Sequence, residues 1–284
     1  MPIITMLYDT ARWEEKALIE AAKRKNVTLK PVECKDQYYN LAKIDRSEYG
    51  DIVLQRCVSY FRSLHLTALL EAHGIKVVNG LREAITAGNK LFTTLALIKA
   101  GVPTPRTMLA FTPEGALAAL EELGYPAVIK PVIGSWGRLL ALVNDREAAE
   151  AVLEDREYMF PLYQVYYLQE KVNRPPRDIR AFVVGDRVVA AIYRIAPEGS
   201  WRTNTSRGGK AVNCPITKEV EDICLKAARA IGEGIFGVDC METPNGLVVH
   251  EVNNTTEFRN SVPATGVDIP GYIIDYLVEK AKKC

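Results

Sequence analysis

Three oxygen-bearing side chains in the last fifth of the chain could hold a hard cation. Asp239 stands in one strand-like run, 235–241, and Glu251 and Asn253 stand in the next, 247–253. Glu251 and Asn253 are two residues apart, a spacing that turns both side chains to one face of a strand. Carboxylates plus an amide oxygen suit Mg2+, which keeps several waters and completes its octahedron with phosphate oxygens. The same acids read equally well as ordinary salt-bridge partners.

Other residues carry the chemistry of a phosphate site. Lys130 closes the apolar run Val128-Ile129-Lys130, and the loop Gly134-Ser135-Trp136-Gly137-Arg138 follows it. Glycines let backbone N–H groups approach a phosphate closely, and the lysine supplies charge. This is neither a Walker A sequence nor GxGxxG, and many such loops are only turns. A second lysine, Lys90, falls in a helical stretch, where exposure to solvent is the ordinary reading. Gln169-Glu170-Lys171-Val172 offers a strand edge that could pair with an adenine ring. Arg177-Asp178-Ile179-Arg180 follows it, with an acid that could reach ribose hydroxyls.

Charge is distributed to match. Residues 171–210 hold nine basic side chains against three acidic ones, a net +6, and residues 232–257 hold five acids and no Lys or Arg. Either run alone would be a solvated face. Opposite blocks on adjacent hairpins suggest that one holds phosphates while the other holds the metal that neutralises them.

The elements that must position these residues form a short list. Residues 3–8, 51–54 and 75–78 are apolar runs separated by helical patterns at 13–25 and 64–72, the alternation of a βαβ layer with a parallel sheet. A helix over 85–100 ends at Gly101, with Pro103 and Pro105 behind it. Strands at 107–110, 127–130 and 138–143 then alternate with helices at 113–123 and 147–155. Further strands are expected at 165–172, 179–184, 188–194, 235–241 and 247–253, with helices at 219–231 and 269–283.

In this order the motifs resemble the ATP-grasp superfamily, in its RimK-like branch, and most closely the LysX family of α-aminoadipate–LysW ligases. The resemblance covers essentially the whole chain. It rests on Lys130-Pro-Val-Ile-Gly-Ser-Trp-Gly-Arg138, Arg177-Asp-Ile-Arg180, Asn204-Thr-Ser-Arg-Gly-Gly209 and Glu251-Val-Asn-Asn-Thr-Thr-Glu-Phe-Arg-Asn-Ser261. It implies an α/β (α+β composite) ATP-grasp fold over 87–165 and 166–284, preceded by a βαβ pre-ATP-grasp domain over 1–86.

The resemblance also implies roles. Lys90, Lys130 and the loop Gly134, Ser135, Trp136, Gly137 and Arg138 would hold the ATP phosphates. Gln169, Glu170, Lys171 and Val172 would take the adenine edge, Asp178 the ribose, and Asn204 the nucleotide. Arg180 and Arg194 would clamp phosphate or carboxylate and stabilise the tetrahedral intermediate. Asp239, Glu251 and Asn253 would bind two Mg2+. Thr205, Glu257, Phe258, Arg259, Asn260 and Ser261 would join Arg194 at the amino-acid substrate. Asn260-Ser261 resembles the element associated with 2-aminoadipate, where the glutamate-specific relatives carry Gly-Phe. Asn89 stands where the family has Asp.

The expected partner is the small acidic carrier LysW, with Arg174 or Arg202 steering its approach. A homodimer or tetramer is expected. Glutamate ligation to the same carrier and RimK-like protein glutamylation are the rival activities, and a nucleotide-binding regulator without catalysis is the rival class. Arg56 and Arg62 also fit the pattern, as ligand contacts or as structural ion pairs.

Composition excludes other classes. With 36 Lys+Arg against 35 Asp+Glu, the chain is not a general polyanion binder, so no nucleic acid is expected. Its longest stretch without an ionisable Asp, Glu, Lys, Arg or His, residues 158–169, is far short of the roughly 18–20 residues that cross a bilayer. The first residues lack a signal-peptide pattern, so a cytoplasmic protein is expected. Six cysteines without CxxC spacing read as buried thiols.

Overall fold

The computed structural model describes residues 2–134, 136–205 and 208–282. The chain opens with a parallel sheet ordered β2-β1-β3-β4, made of β1 (Ile3–Tyr8), β2 (Thr28–Glu33), β3 (Ile52–Gln55) and β4 (Val77–Val78). Helices α1 (Trp13–Arg24) and α2 (Tyr60–Ala72) make its crossovers. The strand β2 is absent from the sequence expectation because it is a mostly exposed edge whose Thr-Leu-Lys-Pro-Val-Glu shows no apolar run.

The single helix expected over 85–100 is two helices, α3 (Leu81–Gly88) and α4 (Lys90–Lys99). Asn89 between them is extended, and its Oδ1 accepts from Leu91 N at 3.0 Å and Phe92 N at 3.4 Å. A side chain that caps a new N-terminus ends the old helix, although the apolar pattern runs on. Asn89 thus serves as the N-cap, where Asp would serve as well, and it sets Lys90 at the first turn.

A four-stranded antiparallel sheet follows, ordered β5-β8-β6-β7. It comprises β5 (Thr107–Ala110), β6 (Ala127–Lys130), β7 (Ala141–Val143) and β8 (Tyr166–Glu170), covered by α5 (Pro113–Leu123) and α6 (Arg146–Glu157). Thr112 and Asp145 cap these helices at Gly115 N and Ala148 N. The strand expected over 138–143 begins only at Ala141, because Leu139 takes a φ of 56°. Strand β8 lies past residue 165, yet pairs with β5 and β6, so the central sheet extends to Glu170.

The last sheet is antiparallel, ordered β11-β10-β9-β12-β13. Its members are β9 (Arg177–Val184), β10 (Arg187–Ile195), β11 (Lys210–Asn213), β12 (Ile235–Thr243) and β13 (Gly246–Asn253). Strand β11 was not expected, being four residues with exposed ends. Helix α7 (Lys218–Ile231) covers one face, where Ile179, Ala181, Val183, Phe236, Val238 and Val249 meet Cys224 and Ala227. On the other face Phe182, Val184, Ile192 and Ile235 join α9 (Ile269–Lys282) and the first sheet in a second core, beside the short α8 (Ser261–Thr265). Cys34, Cys57, Cys214, Cys224 and Cys240 are buried thiols, and Cys284 lies outside the described residues. Among the described residues no helix is long and apolar enough to cross a membrane.

Candidate active site

Along β9, β10 and β12 the face that is apolar at Phe182, Ile192 and Ile235 turns ionic at Asp178, Arg180, Arg194 and Asp239. These residues floor a cleft of about 690 Å3 that the central sheet, the last sheet and the N-terminal layer all line. Strand register sets the order: Asp239 lies between Arg180 on β9 and Glu251 on β13.

A β-bulge places the acids. Asp239 pairs with Glu251 and Cys240 with Val249, which leaves His250 as an extra residue on β13. Strict alternation from the buried Val249 would send Glu251 into the core. The bulge restores Glu251 and Asn253 to the cleft while Val252 returns to the core. Gly237 keeps this floor low, since a Cβ there would lie 2.6 Å from Thr256 Oγ1 and 3.2 Å from Arg180 Cδ.

The ionic floor is tightly paired. Arg180 holds Asp239 with Nε and Nη2, the latter at 2.7 Å. Arg194 donates from Nε and Nη2 to Asp178 at 2.7 and 2.9 Å, and its Nη2 lies 3.2 Å from Asp239. Thr203 Oγ1 also donates to Asp178. Burial alone would raise the Asp239 carboxyl, but Arg180 and Arg194 hold it far below the usual range. Burial opposes the Arg194 charge in the same way, and Asp239 and Asp178 overcome it. Burial likewise works against Glu251, whose pKa is nevertheless lowered, first by Lys90. His250 is pushed down to about 4 by burial and then by Lys130, so it is neutral at neutral pH.

Asp239, Glu251 and Asn253 converge as expected; Asn253 Nδ2 is 3.4 Å from Asp239 Oδ2. Carboxylate and amide oxygens are the donors a hard divalent cation prefers, and a cation here would exchange with the Arg180, Arg194 and Asn253 Nδ2 contacts that engage Asp239. Among the described residues no group of three or more His, Cys, Asp or Glu is arranged to hold a metal ion, so a cation here would rest on two carboxylates and the Asn253 amide.

Lys90 and Lys130 face this floor. Lys90 Nζ donates to Gly134 O at 2.7 Å and lies 3.5 Å from Glu251 Oε1. Lys130 Nζ donates to Gln169 Oε1 at 2.5 Å, and burial pushes its ammonium down to about 8. The loop beyond is wound by positive φ at Gly134, Trp136 and Gly137, with the Arg138 guanidinium 5.0 Å over the Trp136 ring. Trp136 Nε1 reaches Glu257 Oε1 at 3.2 Å. Asn204 and Thr205 line the cleft, while Ser135 and Arg207 lie outside the described residues.

Several expected contacts are placed elsewhere. Gln169, Glu170, Lys171 and Val172 are not in the cleft lining. Gln169 is buried and donates to Thr107 Oγ1 and Tyr167 OH, each at 3.0 Å, while accepting from Lys130. Glu170 accepts from Arg106 N at 2.8 Å, and Lys171 N donates to Pro126 O at 3.2 Å. Asp178 lines the floor but is only 2% exposed, its oxygens already engaged by Arg194 and Thr203. Phe258 is fully buried against Trp13 and Arg56, as an anchor rather than a substrate contact. Arg174 and Arg202, expected to steer a partner, turn donors inward onto Trp201 O at 3.1 Å and Leu140 O at 2.6 Å.

Glu257, Arg259, Asn260 and Ser261 do line the far end, and there the N-terminal layer adds Arg12, Trp13 and Glu14, while its Tyr60 lines the cleft beside Gly88; sequence reading missed all four. Glu14 Oε1 accepts from Phe258 N at 3.1 Å and Arg259 N at 3.0 Å. Arg56 is a structural ion pair, donating to Glu15 at 3.0 Å and to Thr256 O at 3.1 Å, and Arg62 pairs with Asp9 at 2.8 Å. Acids in a helix's first turn ordinarily only complement its dipole, so Glu14 and Glu15 gave no local signal.

Comparison with known proteins shows the family. A RimK-like ATP-grasp domain matches residues 87–277, and a LysX preATP-grasp domain matches residues 4–86. The chain is 37% identical to the alpha-aminoadipate–LysW ligase LysX of Sulfurisphaera tokodaii, over 99% of this chain and 100% of that protein. It is 30% identical to the glutamate–LysW ligase ArgX of the same organism, over 99% of each. The crystal structure of a RimK domain ATP-grasp protein from Sphaerobacter thermophilus aligns with a TM-score of 0.78 at 26% identity, covering 97% of this chain and 99% of that one.

Proposed function

The chain belongs to the RimK-like ATP-grasp family and is an ATP-dependent ligase, and on that premise we propose that it acts in lysine biosynthesis, joining the α-amino group of L-2-aminoadipate to the side-chain carboxylate of the C-terminal glutamate of a LysW-type carrier. The observation that carries this reading is one continuous cleft that joins a phosphate-type site to a second set of polar side chains. Lysines and a carboxylate–amide set stand in the first, and Glu257, Arg259, Asn260 and Ser261 in the second, with Trp136 Nε1 on Glu257 between them. The higher identity to the aminoadipate ligase than to the glutamate ligase points the same way.

Two anionic reactants and an anionic nucleotide must meet, so catalysis is mostly charge neutralisation and positioning. The carrier carboxylate attacks the γ-phosphorus of ATP, and ADP leaves an acyl phosphate. Lys90 and Lys130 hold phosphate oxygens, and Gly134, Trp136, Gly137 and Arg138 exclude water above them. Asp239, Glu251 and Asn253 would hold Mg2+, two ions by family pattern, whose contribution is to offset charge on the β- and γ-phosphates. Arg180 and Arg194, fixed in place by Asp239 and Asp178, would offer guanidinium N–H donors to the oxyanion of the tetrahedral intermediate. The unprotonated α-amino group then attacks the acyl carbon, phosphate leaves, and the amine is masked as an isopeptide.

A homodimer or tetramer in the cytoplasm belongs to the same proposal. Phe92, Leu95 and Ile98, all more than two-fifths exposed along one stripe of α4, support self-association.

The deciding experiment is ADP release from ATP with carrier and each amino acid in turn. We expect 2-aminoadipate to outrun glutamate by about tenfold or more, of the order that pocket discrimination by one methylene allows. Exchange of Asn260-Ser261 for Gly-Phe should narrow or reverse that ratio. Equal wild-type rates would remove the aminoadipate assignment, and ADP release indifferent to the carrier would remove the carrier.

A further inference from the structure

The far end of the cleft contains a charge arrangement that the reaction above does not yet use. Arg12, just before α1, donates from Nε and Nη2 to Glu15 at 3.1 and 2.8 Å, and its backbone N–H also reaches Glu15, at 2.9 Å. Glu15 is shared, since Arg56 Nε donates to it at 3.0 Å. Two guanidiniums therefore lean on one carboxylate. Arg56 is sealed in the core at 3% exposure, whereas Arg12 lines the cleft.

The remaining terminal nitrogen of Arg12, Nη1, meets Glu257 at 3.0 Å. Glu257 differs from the other acids around Arg12. Glu15 is 1% exposed and Glu14 4%, whereas the Glu257 side chain, which also accepts from Trp136 Nε1 at 3.2 Å, is 41% exposed. Among the described residues it is the carboxylate at Arg12 that solvent, or a ligand, can exchange. A guanidinium fixed on two of its nitrogens loses little entropy when the third binds a new carboxylate.

We propose that Arg12 is a specificity-determining residue of the amino-acid site, binding a carboxylate of the incoming acidic amino acid at the position that Glu257 occupies in its absence. The inference rests on the reading that the substrate is an acidic amino acid. It assigns the N-terminal layer a direct part in recognition, in addition to its support of residues 256–259.

The test compares wild type with Arg12→Met and Arg12→Lys on 2-aminoadipate, its side-chain amide and its α-carboxamide, at saturating ATP and carrier. Arg12→Met should raise KM for 2-aminoadipate by about 30- to 100-fold, the worth of one charge-assisted pair, with KM for ATP within about twofold of wild type. Wild type should lose a similar factor on one of the amides, and Arg12→Met should lose nothing more on that amide, which identifies the carboxylate. Arg12→Lys should recover part of the loss. A loss from Arg12→Met that is the same on the acid and on both amides overturns the proposal, because Arg12 would then serve only the fold.

Calorimetric titration of 2-aminoadipate into both proteins, loaded with a non-hydrolysable ATP analogue, separates the two readings. Binding to wild type that Arg12→Met abolishes supports Arg12 even where no ligation is found, and the proposed reaction alone then falls. Equal binding to both, or none to wild type, overturns the Arg12 site.

Discussion

The two ends of the cleft are built by different means. At the phosphate end, Asp178, Arg180, Arg194, Asp239, Glu251 and Asn253 come from neighbouring strands of one sheet, ordered by alternation, register and the bulge between β12 and β13. At the amino-acid end, Arg12 meets Glu257 across 245 positions of sequence, and Glu14 meets Arg259 across the same span. The ionic floor of the first end needs only the last sheet to form, although Lys90 and Lys130 reach it from α4 and the central sheet. The second end needs the N-terminal layer to dock upon it, so substrate recognition depends on that contact while the pairing within the floor does not.

That difference can be broken from either side, and the larger effect belongs to the phosphate end. Asp239→Ala or Glu251→Ala should each abolish Mg2+-dependent ADP formation, by about 10^3-fold or more, since each removes an oxygen ligand and strands an arginine or lysine. Mg2+ titration against ADP release reads the loss, and near-normal turnover in both variants defeats the metal assignment. At the other end, Glu14→Ala orphans the N–H groups of Phe258 and Arg259. It should raise KM for the amino acid by tens of fold and cost about 2 kcal/mol in urea unfolding, at about 1–3 kcal/mol for unsatisfied buried donors. KM for ATP should stay near wild type. A matching rise in both KM values would mean that the two ends are not separable.

Legibility in the sequence follows the same division. The ATP-grasp class was legible in the motifs that resemble that superfamily, and the shared face of Glu251 and Asn253 was legible in their two-residue spacing within one hairpin. Strand β2 and strand β11 were not, being short or exposed strands without an apolar run. The break at Asn89 hides beneath a continuous apolar pattern, since one capping oxygen decides it. Phe258 read as a site residue because it lies inside a conspicuous motif, yet its ring is the anchor that packs on Trp13. Arg12 and Glu14 could not be read locally at all, because their partners lie at residues 257–259.

The smallest effect separates the two ends by pH. Lys130 belongs to the phosphate end, where burial lowers its ammonium from 10.5 to about 8; Glu251 supports the charge, and Lys90 and Arg174 oppose it. Between about pH 8 and the ordinary lysine range the unfolded chain therefore binds a proton that the folded chain does not. Stability should rise with pH through that window as far as Lys130 controls it, because the unfolded state holds more protons. Phosphate binding should move the opposite way, since the lysine that holds phosphate loses its charge. We expect kcat/KM for ATP to fall with an inflection near pH 8 in the free enzyme, and Lys130→Met to remove that inflection. The KM for the amino acid, set by Arg12 and Glu14 at the other end, should show no step there. A shared inflection in both profiles, persisting in Lys130→Met, would assign the titration to a group that serves the whole cleft.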